Sequence, residues 1–313
     1  MSAFPFCIVS QLSLFIAASG VKVSHVRFRH TIAILLLASA SVIADDFEKR
    51  LNAATKGDVA AQYAVARAYF KGEGAPLDKA KAAAWFRKAA EQGDAKAQRV
   101  LATMLAQGDG MEKDEKEAFT WFQKSAAQGD GIASTNLGWF YSQGLGTPKN
   151  MDEALRHYRI AAKAGQLDAQ VRLGQLLTKG YDGIPVDYAE ASQYLIAAAE
   201  KGHAGAQNTL GVMLEEGLGV SKNVHEAVKM FRAAAVQGEP RAMMNMGRML
   251  DLGIAVPRDR VEACMWLVLS SERLEDGANK YMKHMLETGR ISAADLAEGK
   301  KRAIEFTRAA SAK

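Results

Sequence analysis

The amino-acid sequence predicts an all-α solenoid made of six two-helix repeats with a helical cap at each end. The first observation behind this fold class is a period of 36 residues, which begins at Gly57 and changes only in the fourth copy, which is one residue longer. The second is that alanine or glycine returns at the same two positions of every copy. The third is the composition, which combines 27 glycines with only 6 prolines and 8% aromatic residues. Because a repeat of this length buries its apolar face by stacking on its neighbours, a solenoid follows.

Residues 1–44 are expected to form an export signal ahead of the repeats. Basic side chains lie between positions 22 and 30, residues 32–38 form a short apolar stretch, and small residues lead up to Ala44. This order is that of a secretory signal peptide. We therefore expect cleavage after Ala44 and a periplasmic or secreted mature protein, with Ala40 as the alternative cleavage position.

The alternative to cleavage is a signal that stays attached and anchors the chain in a membrane. Both apolar runs before Asp45 are shorter than the ~20 residues that a spanning helix needs. Membrane contact is therefore expected only through an uncleaved signal, if at all. Residues 1–20 carry no charged side chain and precede a signal that is already complete, so we expect a true gene start nearer Val21 or Val23.

The positive net charge does not indicate nucleic-acid binding. The formal charge is +5, from 40 basic and 35 acidic side chains, and three of the basic ones precede Asp45. In the remainder, basic residues alternate with acidic ones along the predicted helix faces, and no basic run is interleaved with aromatic residues. A basic stripe of that kind is what nucleic-acid recognition requires, so we expect no nucleic-acid partner.

The chain after residue 44 divides into caps and repeats. We expect an N-terminal capping helix at 45–56 and a C-terminal helical cap at 277–313, in which Ser292 is the N-cap of an amphipathic helix. The six repeats are predicted at 57–92, 93–128, 129–164, 165–201, 202–237 and 238–276.

The first helix of each repeat, helix A, is predicted from small residues on one face. Small side chains at these positions let a neighbouring helix approach closely, and larger apolar residues fill the space beside them. The fifth position of the repeats is Ala61, Ala97, Ala133, Ala169, Ala206 and Ala242. The tenth position is Ala66, Ala102, Gly138, Gly174, Gly211 and Gly247.

The loop and the second helix, helix B, are predicted from capping residues. Glycine closes helix A because it adopts the left-handed conformation without a Cβ clash. Asp or Asn then caps helix B by accepting from free backbone amides. The closing glycines are Gly72, Gly108, Gly144, Gly180, Gly217 and Gly253, and the N-caps are Asp78, Asp114, Asn150, Asp187, Asn223 and Asp259. A second loop glycine usually follows the first, and the sixth repeat has Ala255 in its place.

These units resemble one known repeat family. The stretch AAQYAVARAYFKGEGAPLDKAKAAAWFRKAAEQG and its counterparts are similar to the Sel-one-like repeat, or SLR, a TPR-like (tetratricopeptide-related) repeat with a longer glycine-containing loop. The resemblance covers residues 57 to about 276. It implies an α-solenoid scaffold that binds other proteins, as exported bacterial members do.

No catalytic or metal-binding constellation is recognisable, so we expect no enzyme activity, cofactor or metal. The histidines after residue 44 lie in different parts of the chain, and neither HExxH nor GxSxG occurs. Cys264 is the one cysteine after residue 44, and we expect it in the core. Cysteine-rich relatives imply a β-lactamase-like hydrolase as the alternative, but this chain has neither their paired cysteines nor a Ser-x-x-Lys motif.

The resemblance also implies that helix A lines a concave groove, where residues outside the core face a partner. The seventh, eleventh and fourteenth positions of the repeats vary where the core positions do not, and Tyr, Trp and Arg among them are frequent interface anchors. The candidate partner-binding residues are Tyr63, Arg67, Phe70, Arg99, Trp139 and Arg248. The fourteenth position also includes Glu215 and Asp251. The alternative is that Tyr63, Phe70 and Trp139 pack against the next repeat.

The function expected from these observations is a periplasmic scaffold or adaptor for protein–protein interaction, which holds a protein or peptide in the groove. Two alternatives stay open at this point. One is a cell-wall-related hydrolase, and the other is a periplasmic regulator of envelope signalling.

Overall fold

The computed structural model describes residues 45–181, 183–273 and 277–311. The expected export signal and its cleavage position lie outside these residues. Helix is the only regular secondary structure in the described ranges, which confirms the predicted all-α fold class. The chain divides into two compact units, of which the first ends at Asp130 and the second begins at Gly131.

The first unit contains the first two repeats, preceded by a helix where a cap was expected. Each helix packs on the next from α2 to α5. The helices are α1 at 45–55, α2 at Val59–Lys71, α3 at Lys79–Glu91, α4 at Ala95–Gln107 and α5 at Glu115–Ala127.

The second unit contains the other four repeats and the C-terminal helices. Each helix packs on its successor from α6 to α14, and α15 packs on α13. The helices are α6 at Gly131–Gln143, α7 at Met151–Lys163, α8 at Leu167–Lys179, α9 at Tyr188–Glu200, α10 at Ala204–Glu216, α11 at Val224–Val236, α12 at Pro240–Leu252, α13 at Arg260–Ser271, α14 at Gly277–Glu287 and α15 at Ala293–Ser311. No helix in the described ranges has the length and apolar character needed to span a bilayer.

The small residues of helix A are where helix B of the same repeat comes closest, as the sequence predicts. A Cβ added at Gly138 would lie 2.7 Å from the ring of Tyr158, and one at Gly174 would lie 2.5 Å from Leu195. Real side chains do not approach this closely, so any larger residue at these positions would push the two helices apart.

The predicted capping residues adopt the predicted geometry. All six closing glycines have a positive φ, and Gly72, with φ 70° and ψ 30°, is left-handed, whereas Gly180 in the longer fourth loop has φ 62° and ψ 93°. All six N-cap side chains of helix B accept from the backbone amide three residues later, as Asp78 does from Lys81 at 2.9 Å. Ala255 also has a positive φ, of 55°.

A buried glutamine joins successive repeats, a feature that the sequence interpretation missed. At the sixth position of the repeat, Gln98 donates to the carbonyl oxygen of Ala90 at 3.1 Å and accepts from Gln128 at 2.8 Å. Gln207 does the same with Ala199 at 3.2 Å and Gln237 at 2.8 Å. Each glutamine gives a second hydrogen bond to a carbonyl at the end of the preceding helix B, which also accepts from the glycine amide three residues later.

The C-terminal helices cover the end of the sixth repeat. Ser292 caps α15, because its Oγ accepts from the amide of Asp295 at 3.1 Å, and the Asp295 carboxylate accepts from the Ser292 amide at 2.7 Å. A Cβ added at Gly299 would lie 2.5 Å from Cβ of Cys264. Cys264 is therefore a core residue, as expected, and burial raises the pKa of its thiol to about 11.

Candidate functional site

A concave surface of the second unit lies between α6 and α8. Two adjoining cavities of about 630 Å³ and 460 Å³ open there. Both are lined by Trp139, Tyr158, Arg172 and Gln175, and we call the surface centred on these four residues the α6–α8 groove. Cavities of this size accept a few side chains of a bound segment.

Helix α6 places an exposed indole on one wall of this groove. Its buried face, which includes Leu137, Gly138 and Phe140, packs onto the core. Trp139 lies on the opposite side of the helix and is 43% exposed. Because Gly138 fixes α6 against Tyr158, the position of the indole is set by a closely packed backbone.

Helix α8 supplies the opposite wall with a row of polar side chains. Asp168, Arg172, Gln175 and Lys179 follow one another at intervals of four, three and four residues, which places them on one face of the helix. Arg172 and Lys179 are exposed. Within the described residues neither makes an ion pair or a hydrogen bond.

The longer loop of the fourth repeat forms one end of the groove. Tyr181, which lies in this loop, is 59% exposed, and Nζ of Lys149 lies 6.0 Å from the centroid of its ring. At the other end His203 caps α10, where its Nδ1 accepts from the amide of Ala206 at 3.2 Å. Because Nδ1 accepts this hydrogen bond, the proton of the neutral ring is on Nε2.

The four candidate residues of the first unit differ in what they contact. The rings of Tyr63 and Phe70 meet the core ring of Phe86 edge to face, with centroids 5.5 and 6.4 Å apart. These two side chains are half-buried, so packing accounts for much of their surface. Arg67 is exposed, and Arg99 donates to Asp130 at 2.9 Å.

In the second unit, Trp139 differs from the other predicted groove residues in its exposure and in its lack of an ion-pair partner. Arg248 donates both of its terminal nitrogens to the Glu215 carboxylate, at 2.9 and 2.6 Å, so its guanidinium already has a partner. Asp251, expected to face the groove, is instead 2% exposed and accepts from Tyr281 and Arg290. The chain beyond α12 folds over it. Trp139 alone of these lies at a cavity wall with an exposed surface.

The sequence interpretation missed Arg172, Lys179 and Tyr181. It considered the seventh, eleventh and fourteenth positions of helix A, whereas Arg172 and Lys179 occupy the eighth and fifteenth. A signal was present, because the eighth position also varies between repeats while the core positions do not. The residues at the eighth position are Ala64, Val100, Asn136, Arg172, Thr209 and Asn245.

Among the described residues, no group of three His, Cys, Asp or Glu side chains is placed to hold a metal ion. Cys264, buried and with a raised pKa, is protonated at neutral pH and does not present a thiolate. The chemistry that the α6–α8 groove offers is therefore stacking on an indole, hydrogen bonding and attraction of negative charge.

Comparison with known proteins places this architecture in a family. The Sel1 repeat profile matches residues 59–94, 95–130, 131–166, 167–203, 204–239 and 240–273. Each matched repeat begins two residues after the corresponding predicted repeat. The boundary between the second and third matched repeats, after Asp130, is also the boundary between the two compact units in the chain. Comparison with curated protein sequences gives no match.

Comparison with solved structures finds similar chains. A Sel1 repeat protein from Oxalobacter formigenes is 30% identical, with a TM-score of 0.62 and coverage of 78% of this chain and 97% of that chain. The protective antigen c5321 of uropathogenic Escherichia coli is 24% identical, with coverage of 85% and 72% and a TM-score of 0.38. The immunity protein Pa5087 of Pseudomonas aeruginosa is 22% identical, with coverage of 68% and 81% and a TM-score of 0.37. The profile match over all six repeats and the Oxalobacter structure together establish that this chain belongs to the Sel1 repeat family.

Proposed function

We propose that this protein is an exported scaffold that holds a segment of a partner protein in the α6–α8 groove. Sel1 repeat proteins are generally protein-interaction scaffolds, and the fold is typically non-enzymatic. The observation that carries the proposed position is Trp139, an indole that is 43% exposed and lines both cavities. Tryptophan is among the residues that most often dominate the free energy of protein interfaces.

The polar side chains of the groove support the same role. The side-chain amides of Asn136 and Gln175 line the groove and have no hydrogen-bond partner among the described residues. An amide both donates and accepts, so it is able to pair with the backbone of a bound segment. The two walls belong to closely packed helices, and a rigid surface loses little conformational entropy on binding.

Export is part of the proposal and rests on the order of residues 1–44. A basic front, an apolar stretch and a small residue at Ala44 support recognition by a signal peptidase. Cell fractionation and N-terminal sequencing of the expressed full chain test it directly. We expect a periplasmic or secreted protein that begins at Asp45; a cytoplasmic protein with an intact N-terminus would contradict export.

Site-specific photocrosslinking tests the docking position. A photoreactive amino acid is placed at Trp139 or, as the matched control, at Ile160 on α7, which is also 43% exposed. The alanine variants of the same two positions accompany them in affinity capture from envelope fractions. We expect a crosslinked partner from position 139 and its loss with Trp139→Ala, with an unchanged melting temperature.

Two results would contradict the docking position. One is equal crosslinking from positions 139 and 160, since this would mean that the contact is not specific to the groove. The other is a large fall in melting temperature for Trp139→Ala, since this would place the indole in the core despite its exposure.

A further inference from the structure

Two cations that line the α6–α8 groove, Arg172 and Lys179, make no ion pair within the described residues. The arginines of the second unit that bridge successive repeats are paired instead: Arg159 with Glu190 at 2.7 Å, Arg232 with Glu262 at 3.0 Å and Arg248 with Glu215 at 2.6 Å. Arg172 lines the groove and has no such pair within the described residues.

The charge balance of the groove lining is positive. Lys149, Arg172 and Lys179 line its two cavities, and the one carboxylate among the described lining residues is Asp168. Asp168 lies in the first turn of α8, where the free backbone amides of the helix end favour a negative charge. Around Lys179 the described lining residues include no carboxylate, so the end of the groove near Lys179 presents positive charge.

The spacing of these cations fits an extended chain. Arg172 and Lys179 are seven residues apart on one helix, a distance of about 10 Å at the helical rise per residue. A polyproline-II segment has three residues per turn and rises about 3 Å per residue, so its residues i and i+3 lie on one side about 9 Å apart. Two carboxylates at this spacing are able to reach the two cations together.

We infer that the occupant of the groove is an acidic, extended peptide segment of a partner protein. It carries two carboxylates three residues apart, which pair with Arg172 and Lys179, and a neighbouring aromatic or aliphatic residue that packs on Trp139. This inference rests on the proposed docking function and adds the chemistry of the partner.

A random twelve-residue peptide library, displayed on phage and selected against the purified full chain, tests it. The charge-reversal variant is Arg172→Glu with Lys179→Glu. The matched control is Lys163→Glu with Lys222→Glu, which makes the same charge change at exposed positions of the second unit outside the groove. All four side chains are exposed, and circular dichroism verifies that both variants fold.

We expect selection of peptides with paired acidic residues beside an apolar one. Fluorescence anisotropy with the most enriched peptide should give a Kd at least tenfold higher for the charge-reversal variant and less than twofold higher for the control. Binding should also weaken as NaCl rises from 0.05 to 0.5 M, because the ion pairs lie at an open surface.

The outcomes separate the two proposals. Neutral or basic peptides that need Trp139 would overturn the acidic specificity and leave the docking function standing. Selected peptides that bind Trp139→Ala as well as the native chain would overturn both. Competition by a single-stranded oligonucleotide at the concentration of the peptide itself would also overturn the inference, since it would show a site for polyanions of any kind.

Discussion

At the scale of single residues, the positive backbone angles of the loops explain which positions are glycine. The second loop glycine approaches the preceding repeat: a Cβ at Gly219 would lie 2.2 Å from the carbonyl oxygen of Tyr188. Ala255 occupies the same loop position in the sixth repeat and keeps the left-handed backbone, with φ 55°. It is the one non-glycine with a positive φ among the described residues. A left-handed conformation costs an L-residue roughly 1–2 kcal/mol.

Ala255→Gly should therefore stabilise the protein. The substitution removes the left-handed strain, and the greater backbone entropy that glycine loses on folding offsets part of the gain. We expect the free energy of unfolding to rise by about 0.5–1 kcal/mol, measured by urea denaturation. The control is Ala297→Gly in the interior of α15, where the same change on an exposed helical residue should lower stability by about 1 kcal/mol. A loss at both positions would contradict the strain argument.

His157 should make stability depend on pH. Burial, and then the neighbouring Arg156, lower the pKa of this imidazole in the folded state, while the carboxylate of Glu153, with Oε2 3.9 Å away, acts in the opposite direction. The ring stacks on Tyr141 with centroids 5.6 Å apart. In the unfolded chain the pKa returns to about 6.5, so the unfolded state binds the proton first as the pH falls.

The free energy of unfolding should accordingly fall between pH 6.5 and the lowered pKa, with a slope of at most about 1.4 kcal/mol per pH unit. His157→Tyr, which matches Tyr194 at the same position of the next repeat, should abolish that slope. Urea denaturation at pH 7.5, 6.5, 5.5 and 5.0 provides the comparison. The same slope in both proteins would assign the dependence to other groups.

At the scale of helices and repeats, polar contacts as well as apolar packing join neighbouring elements. Gln207 is 8% exposed and donates to a helix-end carbonyl, while its own oxygen accepts from Gln237. The sixth position is not always glutamine, since the sixth repeat has Met243, which is 1% exposed. The sixth position of the repeat is therefore filled by a buried polar side chain in one repeat and by a buried apolar side chain in another.

Gln207→Met should cost about 1–3 kcal/mol of stability. It removes two hydrogen bonds, to the Ala199 carbonyl and from the Gln237 amide, although these groups keep the Gly202 amide and the Ala233 carbonyl as partners. Adding Gln237→Ala should cost little more than Gln207→Met alone, because the bond between the two side chains is already lost. A double-mutant cycle by urea denaturation measures the coupling, and strictly additive losses would mean that the two side chains do not interact.

At the scale of the whole chain, periodicity made most of the fold predictable. The caps of helix B, from Asp78 to Asp259, and the close approach at Gly138 follow from residue types repeated at fixed positions. A groove residue carries no such signal, because it differs between repeats and its exposure depends on where neighbouring helices lie. Trp139 was predicted from its residue type at a variable position of helix A, and Arg172 was missed because its position had not been assigned to the groove. Asp251 was misplaced because C-terminal segments beyond the repeats bury it.

The reactivity of the Cys264 thiol measures whether the C-terminal helix α15 stays packed on the last repeat. Cys264 on α13 is fully buried, and α15 covers it at Gly299, where a Cβ would lie 2.5 Å from Cβ of Cys264 and 3.0 Å from the Met265 amide nitrogen. Gly299→Ala should push α15 away from α13. In a Cys7→Ser background, which leaves one thiol, the rate of labelling by Ellman's reagent should rise at least tenfold for Gly299→Ala, an effect of about 1.4 kcal/mol on the opening equilibrium.

The control for this prediction is Lys300→Ala, which changes an exposed residue of the same helix and should leave the labelling rate unchanged. A Cys264→Ser protein should give no signal. Labelling can also report unfolding of the entire unit, so the rate is compared with the loss of helical signal in the same urea solution. Labelling that accelerates well below the unfolding midpoint would show that α15 opens while the repeats stay folded, because local opening requires less free energy than global unfolding. Labelling that follows the unfolding curve in both Gly299→Ala and the native chain would instead mean that α15 and the sixth repeat unfold as one cooperative element.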